Sequence, residues 1–542
     1  MSSGRHVDFF HSLTFDQVYQ LDRDVSRVLG SIRGWRNSFA PINRLPFEIL
    51  SLIPTHLSSH GDRLRASFVC RSWRRALLQR GELWSELILS NGEDYTKTYL
   101  ERAKWCALDV LSHHRNPVAT WKLLSSHTEK IRRISFVSER WEEIEEFADT
   151  IPGPLPLLHT LVIHNFNDEP LYPDSEAGPH RPLFSGAVNL KVFQFHSQST
   201  WTPLLGRFIF PNLVSFVFEF EEDSSKEMFL TSQLLDFLEA SQTLRTVRME
   251  INADKRSEPI PGGRVVVLPN VETFTLSLGD STRASELGYK IATHISCPSA
   301  RSSTFVHVGD PAGEIPPGMI FPDAAAWRAI THQYTESPVE KVALEIGPST
   351  MTCALAFLSL NGSTIQLYFQ TYRDEIDESN WSPGVPSKSV YQEVFTQATR
   401  TIRDHPQVKC IKRLHICHNL KSYGSPRPSH ITREVMQLFG SLGPLDELMI
   451  YRCDVRPYFC LEASNDDAEE WVKFPPTKEL IISEPVVKAF DEQCLKIAEL
   501  HHGWGKRFER LMIRGPSLSA EMSGSLRKWV GSLEEVAVDE YY

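Results

Sequence analysis

Residues 445–455 read LDELMIYRCDV, with apolar side chains at Leu445, Leu448, Ile450 and Val455 and a cysteine at Cys453. Leu448 and Ile450 stand two apart, so on an extended chain both point to one face. The same spacing, apolar-x-x-apolar-x-apolar, recurs along the chain. It is found at Trp84, Leu87 and Leu89, at Trp105, Leu108 and Val110, at Ile131, Ile134 and Phe136, and at Leu158, Leu161 and Ile163. It continues at Leu190, Phe193 and Phe195, at Leu213, Phe216 and Phe218, at Leu244, Val247 and Met249, and at Val271, Phe274 and Leu276. Further copies lie at Val339, Val342 and Leu344, at Ile411, Leu414 and Ile416, at Phe508, Leu511 and Ile513, and at Leu533, Val536 and Val538. Three weaker copies centre on Phe305, Ile365 and Leu480, with Ser302, Gly362 and Thr477 at their first position. From the copy on Leu108 onward the mean spacing is about 31 residues. Helical patterns precede several copies: WEEIEEFADTI at 141–151, SQLLDFLEA at 232–240, EVMQLFGSL at 434–442 and QCLKIAELHH at 493–502. One helix, a loop and one short strand, repeated at this spacing, predict an α/β solenoid: a curved parallel sheet backed by helices.

The repeat begins only after a different kind of sequence. Residues 43–90 read NRLPFEILSLIPTHLSSHGDRLRASFVCRSWRRALLQRGELWSELILS. Pro46 suits a first helical turn, where its missing amide hydrogen has no partner to lose, and Glu48 suits the positive end of the helix dipole. Ile49, Leu50, Ile53 and Leu57 form an apolar stripe, and His60, Gly61 and Asp62 a turn. A second helical pattern follows, with Leu64, Phe68, Val69, Trp73 and Leu77 expected inside and Arg63, Arg65, Arg71, Arg74 and Arg75 mostly outside. Pro54 is expected to kink or shorten the first helix. Two helices of this size bury little surface alone, so they must pack on a partner or on the rest of the chain.

This module resembles the F-box, whose pattern begins Leu-Pro-x-Glu-Ile-Leu and ends with Val-Cys-basic-x-Trp-basic and Leu-Trp. Here the matching residues are Leu45, Pro46, Glu48, Ile49 and Leu50, then Ile53 and Leu57, then Val69, Cys70, Arg71, Trp73 and Arg74, then Leu83 and Trp84. The resemblance implies docking on a Skp-type adaptor and, through it, a cullin. By the same resemblance Leu45, Pro46, Ile49, Leu50, Ile53 and Val69 would supply the apolar adaptor contacts, while Trp73 would hold the module's own core. An arginine rim around an apolar face suits a helical, acidic partner, because complementary charge speeds encounter and sets orientation. The repeat body resembles a degenerate leucine-rich repeat, L-x-x-L-x-L-x-x-N/C-x-L. Cys453 fills the Asn/Cys slot in the best copy, and Asn252 and Asn419 fill it after two others.

Charge divides the chain along the same line. The 542 residues carry a formal charge of −11. Residues 1–40 contribute +1 and residues 41–90 contribute +3, which leaves −15 for the body. That balance excludes a wholly basic nucleic-acid binder, since phosphate neutralisation needs clustered cations. No apolar run approaches the ~20 residues of a membrane helix. The beginning, MSSGRHVDFFHSL, lacks the apolar stretch of a signal peptide. Nine cysteines without a C-x-x-C read as reduced thiols, so the expected location is cytoplasmic, nuclear or both.

Residues 14–33, TFDQVYQLDRDVSRVLGSIR, predict an amphipathic helix. Thr14 and Gln17 have capping-box spacing. Val18, Leu21, Val25, Val28, Leu29 and Ile32 share one face, expected to pack on its own domain; a coiled-coil or partner-binding helix is the alternative. Gly34, Asn37, Ser38 and Pro41 are expected to end it. Acidic, proline-rich stretches at 167–182, 309–323, 372–389 and 463–476 read as solvated insertions between repeats.

The sequence contains no phosphate-binding glycine loop, no G-x-S-x-G and no H-E-x-x-H. Cys410, His415, Cys417 and His418 lie close in sequence, but no second ligand pair stands nearby, so no metal and no cofactor are expected. The resulting organisation is an amino-terminal helix and linker at 1–40, an all-α F-box at 41–90, and an irregular leucine-rich-repeat-like solenoid of α/β class at 91–542. The expected function is that of a non-enzymatic substrate receptor in an SCF-type cullin–RING ubiquitin ligase; an F-box scaffold acting outside ubiquitination is the alternative. Exposed strand positions in the carboxy-terminal copies, Arg413, His415, Tyr451, Arg510 and Arg514, combine an aromatic group with cations and are the candidate contacts for a target protein. Neither nucleic acid nor membrane is an expected partner.

Overall fold

The computed structural model of the chain describes residues 13–57, 60–113, 118–151, 153–166, 182–197, 202–222, 231–253, 264–279, 282–309, 339–346, 353–359, 364–371, 388–405, 407–418, 428–451, 475–483, 490–503, 507–515 and 518–536. Most of the four acidic insertions, and Asn419, Cys453 and Val455, lie outside these residues. The fold is mixed α/β and divides into two compact units. One comprises Met1–Leu111 with Arg115–Arg132, the other Ser112–His114 with Arg133–Tyr542.

The first unit opens with helix α1, Phe15–Ser38. Its capping box is formed: the Thr14 amide donates to Gln17 Oε1 at 2.9 Å and the Gln17 amide to Thr14 Oγ1 at 3.4 Å. The helix runs through Gly34 instead of ending there, because one glycine weakens a helix by only ~1 kcal/mol. Its apolar stripe does not pack on its own domain, since Val18, Val25, Val28, Leu29 and Ile32 are all exposed. Three short helices follow, α2 at Phe47–Leu52, α3 at His60–Ala66 and α4 at Arg71–Gln79. Then come strand β1, Glu86–Ile88, helix α5, Glu93–Ala103, strand β2, Leu108–Ser112, and helix α6, Val118–Leu124. β1 and β2 pair in parallel.

The second unit contains most of β3, Ile131–Ser138, followed by α7, Trp141–Thr150, β4, Thr160–Asn165, β5, Val192–Ser197, and β6, Ser215–Glu222. Next are α8, Thr231–Ala240, β7, Thr246–Ala253, the short β8, Val266–Val267, and β9, Thr273–Leu278. Then come α9, Thr282–Ala292, the short β10, Ile295–Ser296, and β11, Ser302–Gly309. Three strands in succession follow: β12, Val339–Ile346, β13, Cys353–Ser359, and β14, Thr364–Thr371. The chain ends with α10, Lys388–Arg403, β15, Arg413–His418, α11, Pro428–Ser441, β16, Leu445–Tyr451, β17, Thr477–Ser483, α12, Phe490–Gly503, β18, Arg510–Arg514, α13, Ala520–Leu526, and β19, Ser532–Val536.

The strands of the second unit form a large, predominantly parallel sheet, and the pairing follows the sequence repeat. The middle apolar residues lie opposite one another in the row Ile134, Leu161, Phe193, Phe216, Val247 and Phe274. A second row runs Val342, Leu414, Leu448, Leu480 and Leu511. The members of both rows are buried. A one-residue slip would turn every such set to solvent, so the apolar pattern fixes the register.

Three copies are displaced from their sequence assignment. Leu87 pairs with Val110, so the copy in β2 centres on Val110; Trp105 is 80% exposed in the preceding turn. Phe274 pairs with Ser303, which moves the β11 copy two residues upstream of Phe305. Leu511 pairs with Leu533, which makes Leu533 the middle of the last copy and leaves Val536 exposed. The sheet also departs from all-parallel order. β14 pairs in parallel with β11, β12 pairs in parallel with β15, and β13 runs antiparallel between β12 and β14. The three strands therefore sit in reverse spatial order, where sequence spacing predicted one strand per helix. β8 and β10 pair separately.

Aromatic packing builds the core between strands and the following segments. The Phe193 ring lies 4.9 Å from Phe208, 5.2 Å from Phe210 and 5.9 Å from Phe237 of α8. Tight turns enter the strands: a Cβ at Gly443 would lie 2.5 Å from the Lys409 carbonyl oxygen. Because the obstacle is backbone, Gly443→Ala is expected to destabilise the second unit by roughly 1–3 kcal/mol, measured by urea unfolding.

His405 follows α10 with its ring stacked 5.1 Å from Phe357 of β13, and its Nδ1 accepts the Gln407 amide hydrogen at 3.0 Å. Burial depresses its pKa to about 4. In the unfolded chain an imidazole protonates near pH 6.5. Between those values the unfolded state binds more protons, so acid draws the equilibrium toward unfolding. The contribution is complete above pH 6.5 and declines by up to ~3 kcal/mol as pH falls to about 4. Unfolding measured across pH 4–7 is expected to be less acid-sensitive in His405→Phe than in the wild type.

Candidate protein-docking face

The face belongs to α2, α3 and α4. Pro46 occupies the N-cap of α2 in extended conformation, with φ −52° and ψ 149°, and its carbonyl accepts the Leu50 amide at 3.0 Å. Pro54 shortens the regular helix: after Leu52 the chain tightens into a 3-10 turn at Ile53–His56. Leu50, Ser51 and Pro54 thereby turn inward. α3 ends in successive tight turns, with the Phe68 amide donating to the Arg65 carbonyl at 2.9 Å and the Val69 amide to the Ala66 carbonyl at 3.3 Å. These turns carry Phe68 and Val69 outward.

The result is a module with a small core and a surplus of apolar surface. Leu50 is 3% exposed, with Trp73, Ala76 and Leu77 of α4 also buried. Ile49 is 45%, Phe68 69% and Val69 59% exposed, and Phe47, Leu52 and Pro46 are also exposed. Leu45 and Ile53 are half-buried. The structure thus corrects two expectations. Leu50, named as an apolar adaptor contact, is packed in the module's core in the free chain, while Phe68 and Val69, expected inside, face solvent. Phe47, Leu52 and Phe68 are further exposed apolar residues that the sequence did not mark as surface groups. The available signal was that α2 is apolar on both faces although so short a helix can bury only one.

The rest of the first unit supplies the packing that two short helices lack. Trp84 Nε1 donates to the Leu77 carbonyl at 2.9 Å, joining the end of α4 to the turn before β1. The Trp84 ring meets Tyr99 of α5 edge-on at 5.0 Å and carries the Arg102 guanidinium 4.5 Å above it. Arg63 reaches Glu86 at 3.2 Å. Arg71, Arg74 and Arg75 of α4 are exposed beside the apolar set, so the unit presents carbon and positive charge together.

The carboxy-terminal candidates lie on the sheet face opposite the buried rows, and neighbouring strands balance their charges. Arg413, Glu447, Glu479 and Arg510 occupy one register row across β15, β16, β17 and β18. His415 hydrogen-bonds Glu447. Burial holds its pKa below the ordinary value despite that carboxylate. Arg510 contacts Glu479 at 3.0 Å and Glu534 through Nε at 3.0 Å. Tyr451 lies four residues along from that row, in the row Cys417, Tyr451, Ser483 and Arg514. The five candidates therefore share one face, where two central glutamates are flanked by arginines and a tyrosine lies further along the strands.

Among the described residues no helix is long and apolar enough to cross a membrane. Comparison with known families matches residues 42–90 to the F-box-like family model. The match covers the exposed apolar set and the Trp84 staple, and domains of this kind typically bind Skp-type adaptors. No curated protein matches the chain.

Proposed function

We propose that the chain is a substrate-receptor subunit of an SCF-type cullin–RING ubiquitin ligase. The observation that carries this reading is the exposed apolar set of Pro46, Ile49, Val69 and their neighbours inside an F-box-like domain. Open apolar groups rimmed by Arg71, Arg74 and Arg75 fit a partner with a complementary apolar, acidic surface. A cullin joins through that adaptor. The body is an irregular leucine-rich-repeat-like array, a reading supported by the copy-for-copy register of its parallel strands. The outward row of Arg413, Glu447, Glu479 and Arg510, with Tyr451 and Arg514 four residues along the same face, is the target-binding face. The chain performs no bond chemistry; it raises the local concentration of a target near the charged ubiquitin-conjugating enzyme.

Co-elution tests this assignment. The purified chain, a Skp-type adaptor and a cullin are expected to migrate as one complex. Leu45→Ala with Pro46→Ala is expected to release the adaptor and cullin together. A wild-type chain that binds no adaptor, or a double variant that retains both partners, contradicts it.

A further inference from the structure

Helix α1 leaves an apolar strip uncovered, and the strip has a coiled-coil period. Val18, Leu21, Val25, Val28, Ile32 and Trp35 alternate in steps of three and four residues, the a and d positions of consecutive heptads. Val28 is 58%, Ile32 54% and Trp35 69% exposed, and Leu21 is half-buried. The a positions, Val18, Val25 and Ile32, are all β-branched. With leucine at d, β-branched residues at a favour two parallel strands; Leu21 fills the first d position, and Val28 and Trp35 fill the others.

We infer that α1 pairs with α1 of a second copy of this chain as a parallel, in-register two-stranded coiled coil. The flanking residues are compatible with self-pairing. In this register each g position faces an e position five residues later on the other copy. The facing pairs are Gln17 with Asp22, Asp24 with Leu29, and Ser31 with Arg36, none of them a like-charge pair. Length and area also suffice. At 1.5 Å per residue the 24-residue helix is about 36 Å long. Twelve a and d side chains from two copies hide roughly 1,000 Å² in total, if each gives up the surface of a buried aliphatic group. That is about the lower bound for a specific interface. The pairing is independent of the adaptor-docking face, whose residues lie outside α1.

Sedimentation equilibrium of the full chain is expected to give twice the 61.8 kDa of one copy. Val25→Glu with Ile32→Glu, which keeps good helix formers in α1, is expected to give a single-copy mass with an unchanged far-ultraviolet spectrum. Arg23→Glu, on the opposite face, is expected to remain a dimer. Under mild oxidation Val25→Cys is expected to cross-link two copies at residue 25, while Arg23→Cys does not. A wild-type monomer, a trimer, a Val25→Glu/Ile32→Glu dimer, or a dimeric Val25→Cys that fails to cross-link overturns the assignment. Adaptor binding by the Val25→Glu/Ile32→Glu chain separates this result from failure of the docking reading.

Discussion

Replacing Ile49 and Val69 together by glutamate is expected to weaken adaptor binding at least ~100-fold, a change of about 2.7 kcal/mol. Both side chains are substantially exposed in the free chain, so the substitutions leave its own packing intact. Against an apolar partner the two carboxylates must lose water without gaining a counter-charge, which is costly. Calorimetric titration with the adaptor reads the affinity, and thermal unfolding of the free chain reads the fold. Stability is expected to stay within about 0.5 kcal/mol, as for surface substitutions away from specific contacts. Leu50→Ala is the counterpart. At 3% exposure Leu50 is part of the core, so its truncation is expected to reduce stability by roughly 2–5 kcal/mol. Retained full affinity in the glutamate pair would remove Ile49 and Val69 from the docking face.

The second large effect is expected in the body. Phe193→Ala should destabilise the second unit by roughly 3–5 kcal/mol in denaturant unfolding. Phe193 is fully buried and sits at the centre of an aromatic cluster formed by Phe195, Phe208, Phe210, Phe216 and Phe237. Its removal leaves a cavity that rigid rings cannot readily fill. Phe193 also occupies the middle position of its repeat copy, between Leu161 and Phe216 in the ladder. Val192→Thr, one residue away and outside the buried row, is expected to change stability by less than about 1 kcal/mol.

Much of this architecture was legible because period-two burial leaves a mark that survives divergence. Most copies placed the correct residue in the buried row. The displaced copies show the limit. Around Leu108 and Phe305 a shift of two residues preserves the face, so an apolar triplet can be centred on either of two residues. Only pairing with a neighbouring strand decides between them. At the last copy the edge strand β19 has a single partner among the described residues, and its exposed Val536 resembled a core residue. β13 was missed because CALAFLS is a short apolar run without the x-x step, and nothing local specifies an antiparallel neighbour. In the docking module the motif identified the right segment but not the orientation of each side chain. Leu50 and Ile49 are adjacent and both apolar, yet the first packs on α4 while the second faces solvent. The 3-10 turn at Ile53–His56 and the tight turns after α3 determine that division, and neither has a periodic signature.

The central claim joins a docking module to a target-holding body, and protein abundance tests the two together. Quantitative proteomics would compare cells lacking this chain with cells restored by the wild type or by the Ile49→Glu/Val69→Glu variant. A set of proteins is expected to accumulate without the chain, return to normal with the wild type, and remain elevated with the variant. These proteins should also be captured by both versions when the proteasome is inhibited. No change in any protein's abundance, or equal restoration by the variant, would contradict the account.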